Sequence, residues 1–108
     1  MYVKVYEFHI QEDKMDEYFR IQEKACKIYK NYLDTETTYL QSHDDPTKWM
    51  EMTTYSSEED YHKNIAIINE NVEIQALFRE FQALLLPENK LIKETDFTKV
   101  MGYEKNSF

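Results

Sequence analysis

TTYLQSHDDPTKWMEMTTY, residues 37–55, decides the fold of this 108-residue chain. Two runs rich in β-branched and aromatic residues flank a cluster of turn formers, and this pattern predicts a β-hairpin. Asp44 and Asp45 can hydrogen-bond nearby backbone amides through their side chains, and Pro46 presets the backbone dihedral of a turn. A helical pattern lies on each side of the hairpin, with a strand pattern beyond each helix. The predicted order is therefore strand, helix, strand, strand, helix, strand.

The composition is that of a single folded domain covering residues 1–108. Hydrophobic residues make up 42% and aromatic residues 15% of the chain, which supports a core and argues against disorder. With one Gly and two Pro, the chain has no glycine-rich loop to bind a phosphate or dinucleotide. The formal net charge of −8 disfavours nonspecific binding to nucleic acid and to anionic membranes, since both require Lys and Arg.

The sequence also predicts a cytoplasmic location. Cys26 is the single cysteine and cannot form an intrachain disulfide, which suits a reducing compartment. Residues 1–7 lack the apolar run of a signal peptide, and no segment approaches the roughly 20 apolar residues of a membrane span. We therefore expect a soluble cytoplasmic protein that has neither a nucleic-acid nor a membrane partner.

Residues Tyr2–Ile10 form the first predicted strand, with large side chains on both faces. Such a strand is expected inside a sheet rather than at its edge. Glu7 shares a face with valines, and we expect this to be the face that the helices cover. A carboxylate in that position needs an explanation, because burying an unpaired polar group is unfavourable. The opposite face carries Tyr2, Lys4, Tyr6, Phe8 and Ile10.

The first helical pattern begins after Asp13, the expected N-cap, and its apolar stripes extend from Met15 to Leu33. Cys26 lies within one of these stripes. It is expected to be an ordinary packed thiol, because a reactive one needs exposure and nearby positive charge.

The second helical pattern has a clear start and a disturbed middle. Ser57, followed by Asp60, resembles a capping box and starts the helix near Glu58. Residues 69–71 (Asn-Glu-Asn) interrupt the apolar rows, which predicts either a kink or two consecutive helices. Pro87 is expected to end the helical segment.

The remaining elements complete a ferredoxin-like α+β fold. Leu91–Met101 provides the fourth predicted strand, with Asp96 as an irregularity, and Gly102–Phe108 is expected to form a C-terminal tail. The order βαββαβ then gives a four-stranded antiparallel sheet with both helices on one face.

The helix-free face of this sheet is predicted to be apolar. Exposing it would be unfavourable by about 25 cal/mol per Å² of apolar surface. We therefore expect a homodimer, in which a second copy packs sheet to sheet. The side chains assigned to this face are Tyr2, Tyr6, Phe8, Ile10, Met50 and Met52.

Three segments of the chain resemble the antibiotic-biosynthesis-monooxygenase superfamily of dimeric α+β barrels. They are the opening strand Val3–Phe8, the turn at residues 45–46 with the strand Trp49–Tyr55, and the junction Tyr55–Tyr61 with Asn64 beyond it. The resemblance implies a homodimer whose two sheets close into a barrel, with a ligand cavity in each subunit between sheet and helices. Members include cofactor-free quinol and polyketide-type oxygenases, haem-degrading oxygenases and many proteins with no assigned role.

The resemblance points away from haem degradation. Haem-degrading members carry an Asn on the first strand and a His ligand on the second helix. This chain has Glu7 at the strand position, and Phe78 and Phe81 occupy the relevant turn of the helix. In cofactor-free members, a helix Asn or His and the aromatic residue ending the third strand help bind an oxidisable aromatic. Asn64 and Tyr55 match those positions, so the resemblance implies a reaction without a cofactor.

Five residues form the candidate site. Glu7 is the candidate base that takes a proton from a phenol or quinol, and Asn64 is the amide that would act beside it. Tyr55, Trp49 and Phe78 are the candidate substrate-binding aromatics. Each has a structural alternative, namely a carboxylate paired with a helix side chain, a solvated amide, and aromatic core. The three histidines lack a metal-ligand spacing, so no metal is expected.

Two functions follow from these residues. The first is a cofactor-independent monooxygenase acting on a small aromatic or quinol-type substrate, in a cavity that excludes water. The alternative is a non-catalytic homodimer that binds a small apolar or aromatic ligand or serves a structural role. Fold alone does not choose between them. The discriminating feature would be a closed cavity bordered by Glu7, Tyr55 and Asn64.

Overall fold

The computed structural model describes residues 1–103 and follows the predicted order of elements, with three helices in place of two. A short 3-10 turn, Glu12–Lys14, precedes the first helix. The elements are β1 (Tyr2–His9), α1 (Met15–Tyr29), β2 (Thr35–Gln41), β3 (Lys48–Tyr55), α2 (Glu58–Asn69), α3 (Val72–Leu84) and β4 (Lys93–Thr98).

The four strands form one antiparallel sheet in the order β2-β3-β1-β4. The helices cover one face of it. The ring of Phe8 on β1 lies 5.8 Å from that of Tyr18 on α1 and 5.0 Å from that of Phe81 on α3. Tyr55 on β3 contacts Tyr61 on α2, with ring centroids 4.8 Å apart. The predicted ferredoxin-like α+β fold is therefore confirmed.

The predicted assignment of the two faces of β1 is wrong. Phe8 pairs with Trp49 across β1 and β3, and directly opposed residues of neighbouring strands point to the same face. Glu7 pairs with Met50 and lies on the face that no helix covers. The large side chains of β1 that were assigned to the open face pack under the helices instead, namely Tyr2, Tyr6, Phe8 and Ile10.

The open face nevertheless carries a group of apolar side chains beside its polar ones. Met50 and Met52 lie there as predicted, because they alternate with Trp49 and Glu51 along β3. The same alternation adds Val3, Val5, Leu40 and Phe97 from the other three strands.

The interruption of the second helical pattern is a boundary between two helices. Ser57 Oγ accepts a 3.0 Å hydrogen bond from the Asp60 backbone amide at the start of α2, as the capping pattern predicted. Asn71 Oδ1 accepts a 3.0 Å bond from the Ile74 amide at the start of α3. A second N-cap, two residues after the end of α2, therefore starts α3 as a separate helix.

Other predicted boundaries need correction. Asp13 lies in the 3-10 turn and does not cap α1, whose N-cap is Lys14 with no side-chain hydrogen bond. Asp96 is a regular strand residue opposite Lys4, and β4 is shorter than predicted. Most of the predicted tail, residues 104–108, lies outside the part of the chain that the structure describes.

Lys4 attaches the edge strand β4 to the helix-facing side of the sheet. Its Nζ lies 2.8 Å from Asp96 Oδ1 and 3.1 Å from Glu94 Oε1, and the residue is 5% exposed. Burial alone would lower the pKa of Lys4, but hydrogen bonds to these two carboxylates raise it overall. The ammonium therefore stays charged, and it also lies 5.0 Å from the ring centroid of Tyr61 on α2.

Within residues 1–103, no helix has the length and apolar character to span a membrane.

Candidate functional site

A cavity of about 700 Å³ lies between the sheet and the helices. Side chains of α1, α2 and α3 form one wall, and side chains of the four strands form the other. The lining mixes apolar groups with phenols, threonine hydroxyls, amides and two carboxylates. Its residues are Tyr6, Phe8, Ile21, Gln22, Ala25, Cys26, Tyr29, Thr35, Thr37, Tyr39, Glu51, Thr53, Tyr55, Tyr61, Ile65, Asn69, Ile74, Gln75, Leu77, Phe78, Phe81, Ile92 and Glu94.

Glu51 is the carboxylate at the sheet wall of this cavity. It lies on β3 between the buried residues Trp49 and Thr53, on the face that the helices cover. Its Oε1 accepts a 2.5 Å hydrogen bond from the hydroxyl of Tyr18 on α1. Burial raises the pKa of Glu51 to about 7, although the hydrogen bond from Tyr18 acts in the opposite direction. A carboxylate that exchanges its proton near neutral pH is suited to general acid–base chemistry.

Tyr18 is held in place by the aromatic core. It is fully buried, and its ring lies 5.3 Å from that of Trp49 and 6.0 Å from that of Phe81. These contacts leave the phenol little rotational freedom, so the hydroxyl that meets Glu51 is fixed by packing.

Five tyrosines line the cavity, and burial raises the pKa of each above the ordinary value. That of Tyr29 is raised to about 12. These phenols therefore remain protonated at neutral pH, and a hydroxyl that is not already donated within the protein can donate a hydrogen bond to a ligand. The five residues are Tyr6, Tyr29, Tyr39, Tyr55 and Tyr61.

Exposed lining residues mark where the cavity meets solvent. Asn69 and Gln75 lie at the α2–α3 boundary, Phe78 follows on α3, and Glu94 lies on β4. The opening of the cavity therefore lies between the α2–α3 boundary and the edge strand β4.

Cys26 on α1 is half-buried and borders the cavity, where its Sγ lies 3.7 Å from the Tyr39 hydroxyl. It was predicted to be a packed thiol. Its sulfur does contact Tyr39 of β2, although the residue is only half-buried. The same tyrosine donates a 3.1 Å hydrogen bond to Gln22 Oε1, so its hydroxyl is engaged within the protein.

The structure brings together two of the five predicted site residues. Tyr55 and Phe78 line the cavity. Trp49 is buried beside it, against Tyr18, and belongs to the core.

Glu7 and Asn64 do not border the cavity within the described part of the chain. Glu7 lies on the opposite face of the sheet, with Oε2 3.9 Å from Lys93 Nζ, so its predicted helix-facing position is wrong. The Asn64 side chain donates a 2.9 Å hydrogen bond to the Asp60 carbonyl one turn earlier on its own helix. The predicted grouping of Glu7, Tyr55 and Asn64 around one cavity is not formed.

Sequence reasoning missed Glu51 and Tyr18. Glu51 could have been found from the sequence, because alternation along β3 places it on the same face as Trp49 and Tyr55. Alternation along β1 places Glu7 among the valines in a similar way. Choosing between the two carboxylates required the pairing register of β1 and β3. Tyr18 had no signal of its own, because Phe19 and Tyr29 are aromatic residues of the same helix.

Within residues 1–103, no group of three or more His, Cys, Asp or Glu side chains is arranged to hold a metal ion.

Comparison with known proteins gives matches in structure alone. No protein-family model matches the chain, and no curated protein matches its sequence. An uncharacterised NIPSNAP domain protein from Burkholderia xenovorans aligns with a TM-score of 0.72 and 13% identity, covering 93% of this chain and 95% of its own. A variant of SnoaB, a cofactor-independent oxygenase from Streptomyces nogalater, aligns with a TM-score of 0.70 and 10% identity over 94% of each chain.

A further structure, described as an antibiotic biosynthesis monooxygenase, has a TM-score of 0.67 and 10% identity, covering 94% of this chain and 100% of its own. At such identities the likeness shows a shared fold and nothing finer. It confirms, at the level of the fold, the resemblance that the sequence predicted.

Proposed function

We propose that this protein is an oxygenase that needs no cofactor and acts on a small, electron-rich phenol or quinol-type substrate bound in the cavity. Glu51 is the general base that takes the proton of a substrate hydroxyl. The observation that carries the proposal is a carboxylate, hydrogen-bonded by the Tyr18 hydroxyl, at the wall of a cavity of about 700 Å³ lined by aromatic rings. Burial there raises the pKa of Glu51 to about 7.

The cavity suits a substrate of that class. A volume of about 700 Å³ is within the range of sites for small organic ligands. Rings such as those of Tyr55, Tyr61 and Phe81 offer faces and edges for an aromatic ligand, and the phenol hydroxyls offer polar contacts.

The chemistry balances without an external reductant. Glu51 accepts the hydroxyl proton, and the resulting phenolate is electron-rich enough to react with molecular oxygen. A phenol with hydrogen on the reacting ring carbon gains one oxygen atom there as a carbonyl. The second oxygen atom leaves as water with the two hydrogens that the substrate loses, so a phenol and dioxygen give a quinone and water. The substrate itself supplies all the electrons.

The shared fold is compatible with this proposal but does not select it. SnoaB is a cofactor-independent oxygenase, whereas the NIPSNAP domain protein of the same fold is uncharacterised. The support comes from Glu51, because the fold alone hosts more than one function.

The second candidate is binding of a small aromatic ligand without turnover. The hydrogen bond of 2.5 Å from Tyr18 favours it, since that bond satisfies the buried carboxylate and would do so in a protein with no reaction to perform.

Oxygen uptake with a panel of phenols, naphthols and quinols tests the proposal. Uptake is expected for the wild type, with a rate that rises with pH through about 7 as Glu51 loses its proton. Glu51→Gln keeps an acceptor for Tyr18 but removes the base, and should lower the rate by a factor of about 100 or more. Glu36→Gln, the same change on an exposed position of β2, is the control and should leave the rate unchanged.

Two results would contradict the proposal. Absence of uptake for every substrate, with measurable binding, would favour the non-catalytic function. Loss of uptake in Glu7→Gln combined with full activity in Glu51→Gln would return the role of base to the residue that the sequence suggested.

A further inference from the structure

Two of the five cavity tyrosines have hydroxyls without a hydrogen-bond partner among residues 1–103. Tyr39 is engaged by Gln22 and Cys26. Tyr6 interacts with Glu94 and with the Tyr61 hydroxyl. Only charges at a distance act on the hydroxyls of the other two, Tyr29 and Tyr55.

Both free hydroxyls reach the cavity. Tyr55 is only 3% exposed as a residue. Within residues 1–103, however, the side-chain atom that is both fully buried and without a partner is an oxygen of Glu17, so neither tyrosine hydroxyl is fully buried. The hydroxyls of Tyr29 and Tyr55 must therefore retain accessible surface, and both residues line the cavity. Tyr29 is the last residue of α1 and Tyr55 the last residue of β3, so the two phenols come from facing walls.

The two hydroxyls have no partner among residues 1–103 and keep accessible surface in the cavity, so both can donate a hydrogen bond to an acceptor that a ligand brings. Glu51 lines the same cavity as both phenols and shares the helix-facing side of β3 with Tyr55, and its charge acts on both phenols. Within the described residues, the cavity lining contains no Lys, Arg or His. A negative charge that forms in the cavity can therefore be stabilised only by uncharged hydrogen-bond donors of this lining, such as phenol hydroxyls.

We propose that the hydroxyls of Tyr29 and Tyr55 together bind the oxygen of the substrate that Glu51 deprotonates, and stabilise the phenolate that this proton transfer creates. The inference rests on the proposed function, because it assigns the groups that receive the charge once Glu51 has taken the proton. When the proton moves from the substrate hydroxyl to Glu51, one negative charge moves from the carboxylate to the substrate oxygen. Two donors already in place lower the free energy of the charged product without reorganising, as in an oxyanion hole.

Binding of 4-nitrophenolate tests the inference without turnover. The parent protein for this experiment is Glu51→Gln, which removes the carboxylate charge that would repel the anion. Tyr29→Phe and Tyr55→Phe remove one donor each and keep the ring. Each is expected to weaken 4-nitrophenolate binding about 10-fold, and the double variant about 100-fold, because hydrogen bonds to a charged group contribute about 1.5–3 kcal/mol.

Two controls separate lost donors from a damaged cavity. Tyr39→Phe removes a cavity hydroxyl that the protein already engages, and should leave 4-nitrophenolate binding unchanged. 4-Nitroanisole has the same ring without the ionised oxygen, and its affinity should not change in any Tyr→Phe variant.

The inference is overturned if Tyr29→Phe and Tyr55→Phe bind 4-nitrophenolate as tightly as the parent, or if they lose 4-nitroanisole to the same extent. It is also overturned if the parent fails to bind 4-nitrophenolate. Oxygen uptake that depends on Glu51, with no effect of the two tyrosine changes on binding, would leave the oxygenase proposal standing alone. Weakened binding without any oxygen uptake would instead refute the oxygenase and keep the anion site.

Discussion

At the scale of single residues, Glu51 is the unusual group of this molecule. Its carboxylate is shielded from water, which disfavours the charged form and raises the pKa of Glu51 to about 7. The bond from Tyr18 reduces this effect but does not cancel it. The same property that suits Glu51 to take a proton from a substrate therefore weakens the fold when the group is ionised.

Glu51→Gln is expected to stabilise the protein at alkaline pH. The pKa of Glu51 is higher in the folded state than in the unfolded chain, so its stabilising contribution is fully present below about 4.5 and lost as the pH rises through about 7. Urea unfolding at about pH 8 should show the variant more stable than wild type by about 1–3 kcal/mol, with the difference shrinking towards about pH 5. Glu36→Gln should show no such pH-dependent difference, and a gap that does not vary with pH would refute this explanation.

At the scale of elements, the boundary between α2 and α3 shapes the opening of the cavity. Asn71 begins a new helix, so the apolar face of α3, with Ile74, Leu77 and Phe81, packs towards the sheet and α1. The same turn brings Gln75 and Phe78 to the mouth of the cavity. One capping side chain therefore links local helix chemistry to access for a ligand.

Asn71→Ala is expected to lower the free energy of unfolding by about 1 kcal/mol, the usual effect of removing an N-cap side chain. Asn71→Asp keeps an acceptor for the Ile74 amide and should therefore retain most of the wild-type free energy of unfolding. Asn69→Ala, two positions earlier, is the matched control. Chemical denaturation gives the free energy of unfolding of the three variants. Equal losses for Asn71→Ala and Asn69→Ala would show that the cap contributes nothing specific.

At the scale of the whole molecule, the open face of the sheet carries apolar side chains that no helix of residues 1–103 covers. Leu40 is 46%, Met52 37% and Phe97 52% exposed there, beside Val3 and Val5 of the central strand. Exposed apolar side chains grouped on one face are unfavourable in water and are typical of an interface. The dimer predicted from the sequence remains a proposal, with a different set of contact residues from those first assigned.

We expect the protein to sediment as a dimer in dilute solution. Met52→Lys and Phe97→Lys place a charge on the open face and should shift the mass towards that of a folded monomer. Ile67→Lys changes a residue of α2 that is 50% exposed, and should leave the dimer intact. A wild-type protein that is a stable monomer, or a dimer that both open-face changes leave unaffected, would contradict the proposed interface.

The sequence by itself determined the order of elements, the ferredoxin-like fold and the start of α2. These depend on local signals, such as the alternation of residues 48–55, the turn formers before them, and the Ser57 cap. The site was only partly accessible to the same reasoning. Tyr55 and Phe78, named for their aromatic character and through the resemblance, line the cavity, whereas the carboxylate named from the sequence was Glu7 and the one that lines the cavity is Glu51.

Only the tertiary structure decided which face of each strand meets the helices. Alternation divides the side chains of a strand into two sets, but it does not say which set is buried when both contain large residues. That choice depends on the pairing of Phe8 with Trp49, far apart in the chain, and on the packing of Tyr18 and Phe81 above them. Because this packing buries Glu51 and leaves Glu7 on the other face, the candidate chemistry depends on contacts between distant segments that no local pattern records.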